Sequence, residues 1–242
     1  MQSLQHKLIV SCQAPVDSPL HDPTVIAAIA QAAIDRGAAG LRIDTPAHIQ
    51  AVRQRTSAPI IGLWKRQFEG FEVYITPQAD QAKAIALAGA DIIAIDATLR
   101  ARPGGETVAS LVDSIHRLGK PVMADVDTLE SAIAAAAVGA DLVGTTLYGY
   151  TQQTRHLNPP GFDLLKQMVN ELSIPVICEG GIASPTMAKQ ALDLGAYAVV
   201  VGTAITGIDA QVKSYCETLD CGHDRDTYNV PYITSTDGQR HN

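Results

Sequence analysis

Two ionisable residues in this chain stand at the far ends of short apolar runs. Lys65 follows Pro59-Ile-Ile-Gly-Leu-Trp64, and Glu179 follows Val176-Ile-Cys178. An amine and a carboxyl on opposite faces of one ligand can remove a proton from a carbon and return one from the other side. That chemistry inverts a stereocentre beside a carbonyl. Position alone leaves a plainer reading open, in which Lys65 and Glu179 form a salt bridge or Lys65 points to solvent beside Arg66. Glu179 is followed by Gly180-Gly181 and then by Ser184-Pro185, a good start for a helix. The run Ala198-Val-Val-Val201 leads in the same way into Gly202 and Thr203. Backbone N–H groups at two strand–glycine–helix junctions can hold an anion such as phosphate without side-chain charge. The alternative for Gly202 is that it merely lets a helix pack closely.

Other apolar runs end in Cys12 and Gln13, Arg42, Asp96, Asp125, and Thr145 with Thr146. Arg42 suits a clamp on a phosphate or carbonyl oxygen, or a structural ion pair with Asp44 or Asp125. Asp125 suits orientation of a sugar hydroxyl or of Lys65, or else a helix cap or ion pair. Asp96, followed by Ala97-Thr98, can also begin a helical turn. None of the seven histidines stands at such an end, so a zinc site of His and carboxylate ligands is unsupported and no metal is expected. No GxSxG, P-loop or GxGxxG pattern is present, which disfavours hydride transfer and nucleoside-triphosphate chemistry.

These residues need elements to carry them. Apolar runs at 7–12, 38–43, 59–64, 91–95, 121–124, 141–145, 176–178 and 198–201 read as strands. Helical patterns fall at 23–36, 46–56, 77–88, 106–118, 128–138 and 161–172, from Ser184-Pro185, and at 210–219. Gly-Ala precedes every even strand (Gly37-Ala38, Gly89-Ala90, Gly139-Ala140, Gly195-Ala196), and Pro59, Pro121 and Pro175 open strands 3, 5 and 7. A rhythm repeating every two βα units favours an α/β fold closed as one (β/α)8 TIM barrel over 1–219. An open doubly wound sheet would not need it. In a barrel the run ends gather at one mouth, and Lys65 and Glu179, four strands apart in a ring of eight, face each other. The loop 66–76 is long and holds an extended piece, Val73-Tyr-Ile75. Residues 220–242 are polar and without periodicity, so a flexible tail is expected.

The 242-residue length suits one such barrel, since these typically run to roughly 250 residues. Hydrophobic content is 46% with only 5% aromatics, so small and branched aliphatics must build the core. A net charge of −7 with no long basic run argues against nucleic-acid binding. No run is long and apolar enough to suggest a membrane span, and the polar N-terminus does not read as a secretory signal. The four cysteines contain no CxxC pair, and Cys12 and Cys178 lie in strand-like runs, which suggests free thiols in a reducing cytoplasm.

A family resemblance then becomes visible. Ile9-Val-Ser-Cys-Gln-Ala14, Pro59 to Arg66, Ile75-Thr-Pro77, Ala90-Asp-Ile-Ile-Ala-Ile-Asp-Ala-Thr98, Met123-Ala-Asp-Val126 and Val143-Gly-Thr-Thr-Leu147 carry it. So do Gly149-Tyr-Thr151, Cys178-Glu-Gly180 and Val201-Gly-Thr-Ala-Ile-Thr206. Together, from about residue 7 to 219, they resemble the N-acylglucosamine-6-phosphate 2-epimerases, also called N-acetylmannosamine-6-phosphate 2-epimerases. The resemblance implies cofactor-independent interconversion of N-acetylmannosamine 6-phosphate and N-acetylglucosamine 6-phosphate, in amino-sugar and sialic acid catabolism. It implies Lys65 and Glu179 as the acid–base pair, with Lys65 assigned as base and Glu179 as acid in the physiological direction, from N-acetylmannosamine 6-phosphate to N-acetylglucosamine 6-phosphate. It further implies that Gln13 and Arg42 contact the ligand, that Asp125 lies beside the reacting end, and that Gly180, Gly181, Gly202 and Thr203 hold the phosphate. Many members carry arginine where this chain has Gly181 and Gly207, which bears on the affinity for the anion or on its identity.

The partner expected is therefore a small phosphosugar, and a homodimer is left open. Two other readings stand beside the epimerase. One is a different phosphosugar isomerase or lyase on the same barrel, with Lys65 as a Schiff-base amine. The other is a sugar-phosphate sensor without turnover, suggested by the two missing arginines.

Overall fold

The computed structural model describes residues 1–219, and the tail expected from Asp220 onward lies outside them. Among the described residues, eight parallel strands close into a barrel in sequence order: β1 (Leu8–Cys12), β2 (Gly40–Asp44), β3 (Ile60–Leu63), β4 (Ile92–Asp96), β5 (Val122–Asp125), β6 (Leu142–Gly144), β7 (Val176–Glu179) and β8 (Ala198–Val201). Closure is made by β1 against β8, with Ile9 beside Val200. Helices alternate with the strands: α1 (Pro23–Asp35), α2 (Pro46–Arg53), α3 (Ala79–Ala88), α4 (Val108–Arg117), α5 (Leu129–Ala137), α6 (Phe162–Glu171) and α7 (Pro185–Asp193). After β8 come a single turn, α8 (Thr203–Thr206), and then α9 (Ile208–Thr218). The sequence reading anticipates one final helix over 210–219. The chain instead breaks at Gly207, which ends α8 and starts α9.

Local chemistry explains the boundaries. Asp22, Thr45 and Ser184 accept hydrogen bonds from first-turn N–H groups of helices that open on Pro23, Pro46 and Pro185. The four glycines before the even strands all turn the chain at positive φ, between 96° and 107°. That is why the Gly-Ala rhythm marks each helix-to-strand return.

Strand alternation sorts the core into two shells. Ile9, Ile61, Leu63, Ile92, Ala94, Met123, Leu142, Ile177, Ala198 and Val200 fill the barrel interior. Their neighbours in sequence, such as Val10, Ile60, Ile93, Val122 and Val199, pack outward against the helices. Both faces are buried, so the strands read as unbroken apolar runs. The same two-residue period continues to the strand ends. It turns Arg42, Asp44, Lys65, Asp96, Asp125 and Glu179 inward at the mouth.

One strand pair is unusual. The β3–β4 register stops at Gly62 and Ile93. Beyond it the extended piece of the 66–76 loop wedges between them. Ile75 bridges Lys65 antiparallel, Thr76 N–H donates to Trp64 O at 2.9 Å, and Asp96 N–H donates to Ile75 O at 2.9 Å. Thr76 is held at φ 42°, a costly conformation for a β-branched residue. The loop is thus an extra layer of sheet on top of the barrel wall.

Gly62 sits where α2 and α3 come closest to β3. A Cβ there would lie 2.6 Å from both Ala90 Cβ and Ile85 Cγ2, and 2.9 Å from Ile49 Cδ1. We expect Gly62→Ala to lose about 1–3 kcal/mol by overpacking. Denaturant unfolding would measure it, and an unchanged midpoint would contradict this account of the β3 wall.

Candidate active site

The centre of the mouth is an ionic network built around Arg42, which is 1% exposed. From β2 its guanidinium crosses to β5, where Nη2 donates to Asp125 Oδ2 at 2.6 Å and Nη1 to Asp125 Oδ1 at 3.2 Å. Its Nε lies 3.1 Å from Glu179 Oε1 on β7, and Nη1 also meets the Met123 sulfur at 3.5 Å. Of the two ion-pair partners considered for Arg42 from sequence, Asp125 is therefore correct and Asp44 is not. Burial works against the Arg42 charge, but Asp125 and Glu179 outweigh it and hold its pKa above the ordinary value.

Thr146 Oγ1 donates to Asp125 Oδ1 at 2.6 Å and lies 3.4 Å from Glu179 Oε2. Thr145, on the opposite face of β6, locks the Glu179 backbone instead. Its Oγ1 accepts from Glu179 N–H at 3.1 Å and donates to Glu179 O at 2.8 Å. Burial pushes the Glu179 carboxyl up to about 7. Arg42 opposes that rise, Asp125 adds to it, and Lys65 opposes it again.

Lys65 faces this network from β3. Its Nζ donates to Gln13 Oε1 at 2.6 Å, and Gln13 Nε2 donates onward to Ser11 Oγ at 2.9 Å. The amine is therefore turned into the mouth and not out to solvent beside Arg66, which stacks on the Trp64 ring at 5.1 Å. Burial pushes the Lys65 pKa down, Asp44 resists, and Arg42 pushes it further down. Asp44 occupies a place that sequence spacing did not assign. Its Oδ1 accepts from the Lys65 backbone N–H at 3.0 Å, and Thr45 just beyond it is held at φ 70°. The signal was available, since Asp44 lies two residues past Arg42 and must share its face.

Asp96 does not begin a helical turn. It ends β4 and accepts from Thr98 N–H and Thr98 Oγ1 while pairing with Arg100 at 2.6 Å. Beside it, a polar cleft of about 360 Å3 opens on the rim between Glu72, Arg100, Asp127, Thr151, Gln152 and Gln153. Cys12 and Cys178 are buried free thiols pushed up to about 12 and about 11 by burial, so neither is a nucleophile.

On the β7–β8 side the backbone is bare. Gly180 and Gly181 take φ 96° and 69°. A Cβ on Gly181 would lie 2.4 Å from Pro159 Cβ, and one on Gly207 would lie 2.7 Å from Thr203 Cα. Both glycines are thus demanded by this chain's own packing. Gly202, between β8 and α8, adds the second side-chain-free junction.

A closed barrel whose mouth holds an amine, a guanidinium and inward carboxylates is the architecture of a (β/α)8 enzyme acting on small molecules. Residues 26–220 match the profile of the family described as "Putative N-acetylmannosamine-6-phosphate epimerase". A protein of Synechococcus elongatus named "Putative N-acetylmannosamine-6-phosphate 2-epimerase" is 61% identical over 223 residues, covering 91% of this chain and 96% of the relative. One of the same name from Clostridium perfringens is 45% identical over 212 residues, covering 88% and 96%. A solved structure of the N-acetylmannosamine-6-phosphate 2-epimerase from Clostridium perfringens superposes with a TM-score of 0.86 at 43% identity, covering 89% of this chain and 94% of that one. A thiamine phosphate pyrophosphorylase from Pyrococcus furiosus, at 18% identity and a TM-score of 0.57, shares the fold alone. The chain belongs to the N-acetylmannosamine-6-phosphate epimerase family and is an isomerase.

Arg42→Met should strand Asp125 as a buried carboxylate without its cation, costing about 3–5 kcal/mol at neutral pH. A loss below 1 kcal/mol in denaturant titration would mean that the network does not hold the mouth together. Gly181→Arg should not strengthen anion binding. It should lower the melting temperature, through an overpacking cost of about 1–3 kcal/mol against Pro159.

Proposed function

We propose that this protein interconverts N-acetylmannosamine 6-phosphate and N-acetylglucosamine 6-phosphate by proton transfer at C2, without a cofactor, in amino-sugar and sialic acid catabolism. Beyond family membership, one observation carries the reading. Lys65 and Glu179 face each other across the mouth, and burial moves their pKa values toward one another. A carboxyl raised to about 7 and an amine whose pKa is pushed down suit a proton exchange at carbon.

In this mechanism the open-chain sugar lies with C2 between the two groups. Neutral Lys65 takes the C2 proton, the C2–H electron pair becomes the C1–C2 double bond, and the carbonyl pair moves onto the C1 oxygen. Protonated Glu179 then returns a proton to the other face, and the carbonyl reforms. Gln13 holds the Lys65 amine, and Arg42 with Asp125 holds the Glu179 carboxyl. The N–H groups at Gly180, Gly181, Gly202 and Thr203 take the phosphate, which in this chain relies on backbone donors. The buried free thiols of Cys12 and Cys178 support a reducing compartment, and the cytoplasm is proposed as its place.

The direct test is proton NMR of N-acetylmannosamine 6-phosphate with the enzyme in D2O. The glucosamine epimer should appear with deuterium at C2, and Lys65→Ala should abolish both. A Lys65→Ala protein turning over at the wild-type rate would exclude this mechanism. The pH profile gives a second check. Glu179 must be protonated to act as the acid, so kcat/KM in this direction should fall as pH rises through about 7. Glu179→Gln should lose most activity and that limb with it. An alkaline limb that survives in Glu179→Gln would assign the acid elsewhere.

A further inference from the structure

The proposed C2 exchange places negative charge on the C1 oxygen, and that oxygen needs a hydrogen-bond donor. The obvious donors are already committed. Arg42 gives N–H groups to Asp125 and the Met123 sulfur and is ion-paired with Glu179. The Gln13 amide gives to Ser11 and accepts from Lys65. Lys65 itself serves as the base.

Tyr74 remains. It lies in the extended piece of the 66–76 loop that wedges between β3 and β4, one residue before Ile75, which bridges Lys65. Its carbonyl accepts from Arg66 N–H at 2.8 Å, while Ile75 O accepts from Asp96 N–H and Thr76 N–H donates to Trp64 O. The backbone on either side of the ring is therefore pinned. The half-buried ring packs on the interior cluster that includes Leu63, Met123 and Leu147. With the ring on that cluster and the backbone beside Lys65, the side chain belongs to the mouth, among the charges of Asp96, Asp125, Arg100 and Arg42. Burial pushes the phenol up to about 12, with both carboxylates adding to it, so it keeps its proton throughout the working range. No hydrogen bond from this hydroxyl is formed among the described residues.

We infer that Tyr74 is a catalytic group of this site, its hydroxyl donating a hydrogen bond to the C1 oxygen as that oxygen gains charge. The inference rests on the epimerase reading. A neutral phenol can stabilise the enolate without adding a cation beside Lys65 that would further depress its pKa. It also explains why this segment is bound into the barrel wall at the cost of a strained Thr76. A donor on a mobile loop would have to be reorganised at each turnover.

The experiment compares wild type, Tyr74→Phe and Lys65→Ala with N-acetylmannosamine 6-phosphate in D2O, following epimer and C2 deuterium together. Phenylalanine keeps the ring packing, and thermal melts monitored by circular dichroism normalise each rate to folded protein. Tyr74→Phe should melt near wild type, keep KM within about twofold, and lose kcat and C2 exchange together by roughly 100-fold, the scale of one oxyanion donor. A Tyr74→Phe enzyme with kcat within twofold of wild type overturns the inference. So does one whose KM rises while kcat holds, because that describes ground-state binding. Absence of exchange in the wild type would bring down the epimerase reading and this inference with it, whereas an active wild type beside an unimpaired Tyr74→Phe removes only the role of Tyr74.

Discussion

A single buried cation sets the terms for the whole mouth of this barrel. Arg42 spans from β2 to carboxylates on β5 and β7; Arg42 and Asp125 lie out of water, and Glu179 is largely withdrawn from it. Burying any one of them alone would cost several kcal/mol. Arg42 and Asp125 satisfy each other through paired N–H···O bonds, Glu179 adds an ion pair, and Thr146 donates to Asp125. The balance is not neutral for every member. Burial drives the Glu179 pKa up to about 7; Arg42 opposes the rise, but Asp125 shares that guanidinium and adds to it. A structural network that buries Glu179 beside a second carboxylate is thus also the device that readies an acid.

The opposite side of the mouth reaches a matching result by other means. Lys65 is held by Gln13 through its amine and by Asp44 through its backbone. Asp44 limits how far burial and Arg42 can depress the amine. The chain accepts strained positive-φ conformations at Thr45 and Thr76, on either side of the Lys65 segment. Strain at such positions persists only where the surroundings over-determine it. Here the surroundings are the β2–β3 ladder and the wedge of 74–76 between β3 and β4.

Between these groups and the glycine junctions lies a division of labour. Charged side chains fill the centre, and side-chain-free backbone lines the β7–β8 rim. Pro159 and Thr203 close the space that side chains at Gly181 and Gly207 would need. Glycine at these two positions is therefore built into the packing of the β6–β7 and β8–α9 regions.

Much of this was legible in the chain itself. The unbroken apolar runs, the Gly-Ala and proline rhythm and the helix caps determined eight strands in order, because hydrogen-bonding and burial rules act over a few residues. That order, with the parity of each strand, was enough to bring Lys65, Arg42, Asp125 and Glu179 to one end and one face. Contact was decided only by closure. Whether Arg42 met Asp44 or Asp125 depended on its length, on the stagger of β2 against β5 and on the space left by Met123. The break of the last helix at Gly207, the wedge carrying Tyr74 and the hold of Asp44 on the Lys65 backbone also depended on neighbours distant in sequence. The same holds for the pKa values, since burial and facing charge are properties of the enclosed mouth and not of any stretch of chain.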